Sequence, residues 1–193
     1  FMGGRDILIR SARNDKNVQA AREPFRDGAD SDFEVLIRAW QFANARRYNV
    51  DDCRAHGIHA GACRDVESAF QQIFRLAGTT DAQAAPDRSK SVALRHCILA
   101  AFADQLCVRR DSGTLICSLS AGRSGTLVRE SVVQKSPLLV VGEIREISTR
   151  GNREQTLLSL ASAVELDWVR NLFPDELTTR TECEFDPGPK RVE

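Results

Sequence analysis

Apolar residues in this chain follow two different periods, and the change from one to the other limits what it can build. From Ser31 to Gly78 they return every three or four positions, the spacing that lines one side of a helix. From Leu115 to Val164 they return every second position, as in strands with one buried face. With 193 residues there is room for one large domain or two small ones, each with its own core. The pattern therefore predicts an α+β protein, with a helical bundle over 1–110, a small β-barrel with a C-terminal helix over 111–177, and an acidic, loosely attached tail over 178–193.

The helical half has clear punctuation. Ser31 is a capping candidate with Glu34 three residues on, and Phe33, Leu36, Ile37 and Trp40 fall on one face. A short helix near Val50 to Ala55 should stop at Gly57, where a left-handed conformation can end it. The next, about Ala60 to Ala77, puts Cys63, Val66, Phe70, Ile73 and Phe74 on one side, a pattern that predicts burial. A shorter helix over Asp15 to Phe25 is interrupted at Pro24. Thr79 to Ser89 has loop composition, and the helical period resumes from Lys90 to Val108.

Strand signals follow Asp111-Ser-Gly113. Leu115 to Leu119, Thr126 to Arg129, Leu138 to Ser148 and Gln155 to Val164 read as strands, with turns at Gly122 to Gly125 and at Arg150 to Arg153. Four or five short strands in this span suggest a barrel, for which the OB-fold is the natural size. Leu166 to Phe173 reads as a helix that packs back on it through Trp168, Leu172 and Phe173.

Composition excludes several classes. No apolar run approaches the roughly 20 residues needed to span a bilayer, and no signal segment opens the chain, so a cytoplasmic location is expected. The six cysteines include no C-x-x-C pair, and most are expected to be small buried hydrophobes. Cys53, His56, His59 and Cys63 lie close enough to suggest zinc. However, structural zinc sites usually draw ligand pairs from separated segments, and the alternative has the cysteines buried and the histidines capping the helix junction. No metal site is expected. No G-x-S-x-G elbow accompanies the histidines, and Gly122-Arg-Ser-Gly125 lacks the lysine of a phosphate loop, so no catalytic residue is assigned. A chain that begins at Phe1 is expected to be a fragment of something longer or a processed product.

The net charge is zero, but it is unevenly spread. Arg109 to Arg153 holds eight basic residues against four acids, and from Glu154 onward nine acids face four bases. A basic strand region suggests contact with phosphates.

The block SDFEVLIRAW followed by CRAHGIHAGACRDVESAFQQIFRLAG resembles the ratchet-like helical domain of DEAH/RHA-type RNA helicases. ALRHCILAAFADQLCVRR and RESVVQKSPLLVVGEI resemble the next helix and the OB-fold of that family, closest to its bacterial HrpB-type members, and Leu-Phe-Pro closes the last helix in both. Two family arginines are replaced, by Gly61 and Phe70. The resemblance covers about Arg5 to Leu177. It implies an accessory region that sits over two RecA-like motor domains and helps close a channel for single-stranded RNA. It also implies a parent that binds and hydrolyses ATP with magnesium. This chain has no G-x-x-x-x-G-K-[ST] and no D-E-x-H, so no enzyme activity and no cofactor are expected of it alone. In some members the OB-fold docks an activator protein.

The residues expected at the nucleic acid are Arg123, Arg129, Ser131, Lys135 and Arg145, and the expected partners are single-stranded RNA, the motor domains and possible activators, with no membrane. Leu115 to Val164 contains no Phe, Tyr or Trp. Base stacking worth about 1–3 kcal/mol per base is therefore missing, and isolated binding should be weak and salt-sensitive. The competing reading is a protein-interaction module whose barrel does not touch RNA.

Overall fold

The computed structural model describes residues 6–9, 15–78, 88–119, 122–149, 153–178, 185–186 and 191–192. Five helices come first: α1 (Lys16–Arg26), α2 (Asp32–Ala45), α3 (Val50–Ala55), α4 (Ala60–Leu76) and α5 (Arg88–Ala101). After a 3-10 turn at Ala103–Gln105 come β1 (Leu106–Arg109), β2 (Ile116–Leu119), β3 (Ser124–Leu127), β4 (Leu138–Thr149) and β5 (Arg153–Ala163). Helix α6 (Leu166–Leu172) follows, then the two-residue strands β6 (Phe185–Asp186) and β7 (Arg191–Val192), which pair antiparallel. The fold is mixed α+β. The expected loop at Thr79 to Ser89 and the turn at Arg150 to Arg153 lie largely outside the described residues, as does most of the tail.

Helix starts follow side-chain chemistry. Asp15 accepts from the amides of Asn17 and Val18, Ser31 from Phe33, Asn49 from Asp51 and Asp52, and His59 from Ala62. Pro24 does not interrupt α1, which continues to Arg26. Glu34 reaches back to the Asp30 amide at 3.3 Å rather than to Ser31, whose backbone instead bridges to Ser162 on β5. At Gly57 the chain takes φ +60°, and a Cβ there would lie 2.3 Å from the Arg22 guanidinium. That guanidinium is buried and donates to the carbonyls of Ile9, His56 and Gly57, so it ties the segment around Leu8, which bridges to Ile58, to the α3–α4 turn.

The five strands close on themselves in the order β1-β2-β3-β5-β4. All pairs are antiparallel except β3 with β5, where Thr126 and Leu127 run alongside Leu157 and Leu158. Cys107, Cys117, Leu119, Leu127, Leu139, Val141, Leu158 and Ala161 fill the interior. A second core lies within the helices around Phe25, Val35, Ala39, Cys53 and Cys63. A third, of Ile98, Leu99, Val140, Val164 and Val169, seals α5 and α6 onto the barrel wall.

Three expectations change. The helix read from Lys90 to Val108 ends at Ala101, and Leu106–Arg109 is a strand held between β2 and β4. Its burial alternates, with Cys107 and Arg109 inward and Val108 outward, a period that four residues are too short to reveal. The first barrel strand therefore begins before residue 111. Finally, the C-terminal half of α4 is largely uncovered: Phe70, Ile73 and Leu76 are 38%, 66% and 81% exposed, because the helix meets the helical core through its first two turns, where Ala60, Ala62 and Cys63 are buried and Val66 packs alongside. The four cysteines at 53, 63, 107 and 117 are buried, as expected for small hydrophobes, and Cys97 is exposed. Burial, with the neighbouring thiol as a smaller cause, pushes Cys63 up to about 11 and Cys107 to about 12.

Candidate nucleic-acid interface

The segment between β3 and β4, residues 128–137, carries most of the expected contacts, and two side chains hold it, the half-buried Asp32 and the buried Arg109. Asp32, the first residue of α2, accepts from the Ser131 hydroxyl at 3.1 Å, the Val132 amide at 2.9 Å and the Ala161 amide at 2.8 Å. Burial raises the Asp32 pKa, and the three hydrogen bonds and Arg26 pull it partly back. On the barrel side Arg109 is 6% exposed, and its guanidinium donates to the carbonyls of Thr114 at 2.6 Å, Val133 at 2.8 Å and Ser136 at 2.9 Å. Both loops at this end of the barrel, 110–115 and 128–137, thus hang on one arginine. Arg26 adds a bond from α1 to the carbonyl of Glu130.

These restraints sort the expected residues. Arg129 and Lys135 are exposed on the held loop, and Arg110 is exposed at the mouth of the neighbouring one. Arg123 is exposed at the opposite end of the barrel, where the Leu119 amide bonds its carbonyl to close the β2–β3 turn. Arg145 lies midway along β4 and pairs with Glu143 at 3.2 Å, so its charge is partly spent. Ser131 must be corrected. It is 2% exposed, donates to Asp32 and accepts from the Val133 amide, so its hydroxyl cannot reach a phosphate. Arg109 likewise leaves the basic surface for the interior.

Between the two ends, the outer wall of β1, β2 and β3 presents Val108, Ile116, Ser118, Ser124 and Thr126. It is a surface of aliphatic and hydroxyl groups without a ring on which a base could stack. Trp40 packs against Phe70 at 5.7 Å, while Trp168 sits between Arg95 at 4.9 Å and His96 at 4.3 Å. Both tryptophans serve packing within the helical layer.

The junction of α2 with the barrel was not legible as a site. Ser31 and Ser162 share a hydrogen bond at 2.7 Å, the Ala163 amide donates to the Asp30 carbonyl, and the Phe33 ring lies against Gly142. Opposite Gly142, Leu160 adopts φ +56°, a conformation costly for a branched residue that the surrounding bonds maintain. A Cβ on Gly142 would meet Phe33 Cζ at 2.8 Å and Leu160 Cβ at 3.3 Å. Gly142→Ala is therefore expected to lower the unfolding free energy by about 1–3 kcal/mol through overpacking, readable by urea denaturation.

The Cys53 to Cys63 cluster is occupied by its own fold. His59 caps α4, and His56 places Nδ1 2.9 Å from the Asp52 carbonyl with its ring 4.2 Å from that of Phe42. Among the described residues no three His, Cys, Asp or Glu side chains gather in a way that could hold a metal ion, and no helix is long and apolar enough to cross a membrane.

No family model matches this chain, and no curated protein does. Among solved structures, the crystal structure of the E. coli DExH-box NTPase HrpB is similar at 16% sequence identity and a TM-score of 0.45; the likeness covers 90% of this chain and 20% of that one.

Proposed function

We propose that this chain is an accessory region of an ATP-dependent DExH-type RNA helicase, a helical block and an OB-fold that together help shape a channel for single-stranded nucleic acid. The observation that carries the reading is the strand order β1-β2-β3-β5-β4 with β3 parallel to β5, directly behind a helical block whose helix α2 is bonded into the barrel through Asp32. That is the succession implied by the sequence resemblance. On this reading ATP, magnesium and hydrolysis belong to motor domains of a longer parent, and this chain supplies no catalytic group. Its partners are single-stranded RNA, those motor domains and, at the barrel, an activator protein.

Contact would run through the phosphates. Arg110, Arg129 and Lys135 project from the two restrained loops and Arg123 from the far end, with Arg145 between them. A motor that moves along any sequence needs such backbone contacts rather than base readout. Each phosphate neutralised on a single strand contributes about −0.7 to the slope of log affinity against log salt. Anisotropy of labelled oligouridylate should therefore show weak binding at low ionic strength with a slope of about −2 to −3. Arg129→Ala with Lys135→Ala should flatten that slope by about 1.4. Absence of binding at low ionic strength would reject the RNA reading.

One observation favours the alternative, a protein-interaction module. Phe70, Ile73 and Leu76 form an uncovered apolar stripe on α4, with Ile37 of α2 also exposed nearby in sequence to Trp40. Under the helicase reading such a stripe would be covered by the motor domains. Under the alternative it would be the principal binding surface, and the salt titration would show no RNA contact at all.

A further inference from the structure

A cleft of about 470 Å³ opens between the end of α5, the start of β1 and α6, on a surface not used by the loops described above. Its apolar lining includes Leu99, Leu106, Val169 and Phe173, and Asp104 and Glu176 stand at its edge; among the described residues no lysine or arginine lines it. The charge there is one-sided for a second reason. Helix α5, 14 residues long, ends at this cleft with no basic residue in its last turn, and α6 ends here as well. A helix C-terminus carries about half a negative charge. The basic residue of the last turn of α6, Arg170, is bonded to Asp167 at 3.0 Å, which reduces its offset of that field.

We propose that this cleft is a docking site for a protein segment that carries aliphatic or aromatic anchors flanked by arginine or lysine. The apolar walls reward burial of a side chain, roughly 1.5–3 kcal/mol for a leucine or phenylalanine fully removed from water. The carboxylates and helix ends select cations beside that anchor and repel acidic segments and nucleic acid. Its volume falls within the range of pockets that hold a small ligand or a few side chains.

The test uses the full chain and a fluorescein-labelled peptide in which Leu-Phe-Leu is flanked by two arginines on each side. Two controls replace the arginines by glutamates or the apolar core by glycines. The basic apolar peptide should bind, and both controls should bind at least about tenfold more weakly. Asp104→Lys with Glu176→Lys should weaken binding by about tenfold or more, and Ala101→Trp, which fills the cleft from an exposed position, should abolish it. Thermal melts of both variants confirm that they remain folded, and the charge reversal, confined to exposed side chains, keeps the test decisive if the tryptophan does not. No binding at low ionic strength, equal binding of the glycine control, or binding unchanged in the charge-reversed variant would each overturn the proposal.

Discussion

Asp32→Asn is expected to lower the unfolding free energy by about 3 kcal/mol at neutral pH, with Asp32→Ala costing more. The carboxylate stands among donors alone: two backbone amides, Val132 and Ala161, and the Ser131 hydroxyl. An asparagine offers one oxygen. Whichever way it turns, its NH₂ faces a buried amide N–H on the side the oxygen has left, and that donor goes unsatisfied. The hydroxyl of Ser131 can rotate to another acceptor, whereas the two amides cannot. Urea denaturation of both variants measures the loss, and hydrogen exchange at the Val132 and Ala161 amides localises it. Wild-type exchange at those two amides in the variant would show that the carboxylate is not what holds them.

The same residue has a pH signature whose sign follows from its burial. Desolvation raises the folded pKa above the ordinary 3.8, so between 3.8 and the folded value the native state holds more protons than the unfolded chain. Stability contributed by Asp32 is then fully present below the unfolded pKa and falls as pH rises through the folded one. The Asn variant has no such titration. The stability gap between wild type and Asp32→Asn should consequently be widest in acid and narrow as pH rises, while remaining positive at neutrality because the amides still lack their acceptor. A gap that widened with pH would mean that the hydrogen bonds outweigh desolvation and that the carboxylate is held ionised.

Periodicity carries a reader through most of this fold and fails at identifiable places. The helices from Lys16 to Leu76 and the long hairpin of β4 and β5 are legible because each repeats its period often enough to be distinguished from the other. Strand β1 is not, since Leu106 continues the spacing of Leu94, Ile98 and Phe102, and only pairing with β2 and β4 converts it to a strand. The α4 stripe has a flawless helical pattern and is nonetheless exposed, because amphipathicity records which residues share a face and not whether another element covers it. At the candidate interface, charge could be counted but not located. Arg109 and Arg129 are indistinguishable in the sequence, yet one lies inside the barrel bonded to three carbonyls and the other faces solvent. Asp32 looked like an ordinary first-turn acid, and its three partners lie roughly a hundred residues or more downstream.

Arg109 is the other residue whose loss should be large, and its effect should extend from stability to binding. Arg109→Met keeps much of the length and apolar stem but leaves the carbonyls of Thr114, Val133 and Ser136 without their donor, at an expected cost of about 3 kcal/mol. Lysine offers a compact ammonium in place of a planar fork, so Arg109→Lys can satisfy fewer of the three and should fall between Met and wild type. Because these carbonyls belong to the loops 110–115 and 128–137, their release loosens the segments that present Arg110, Arg129 and Lys135 without deleting any of those charges. On the proposed reading, RNA affinity then declines through lost preorganisation while the salt slope, which counts phosphates neutralised, stays near its wild-type value. Arg129→Ala with Lys135→Ala should do the reverse, with stability close to wild type and a flatter slope. Measuring melting and salt-dependent binding on the same preparations separates a residue that positions the loops from those that touch the strand. If Arg109→Lys flattened the slope as the double variant does, Arg109 would itself be a phosphate contact, and its buried position would have to open on binding.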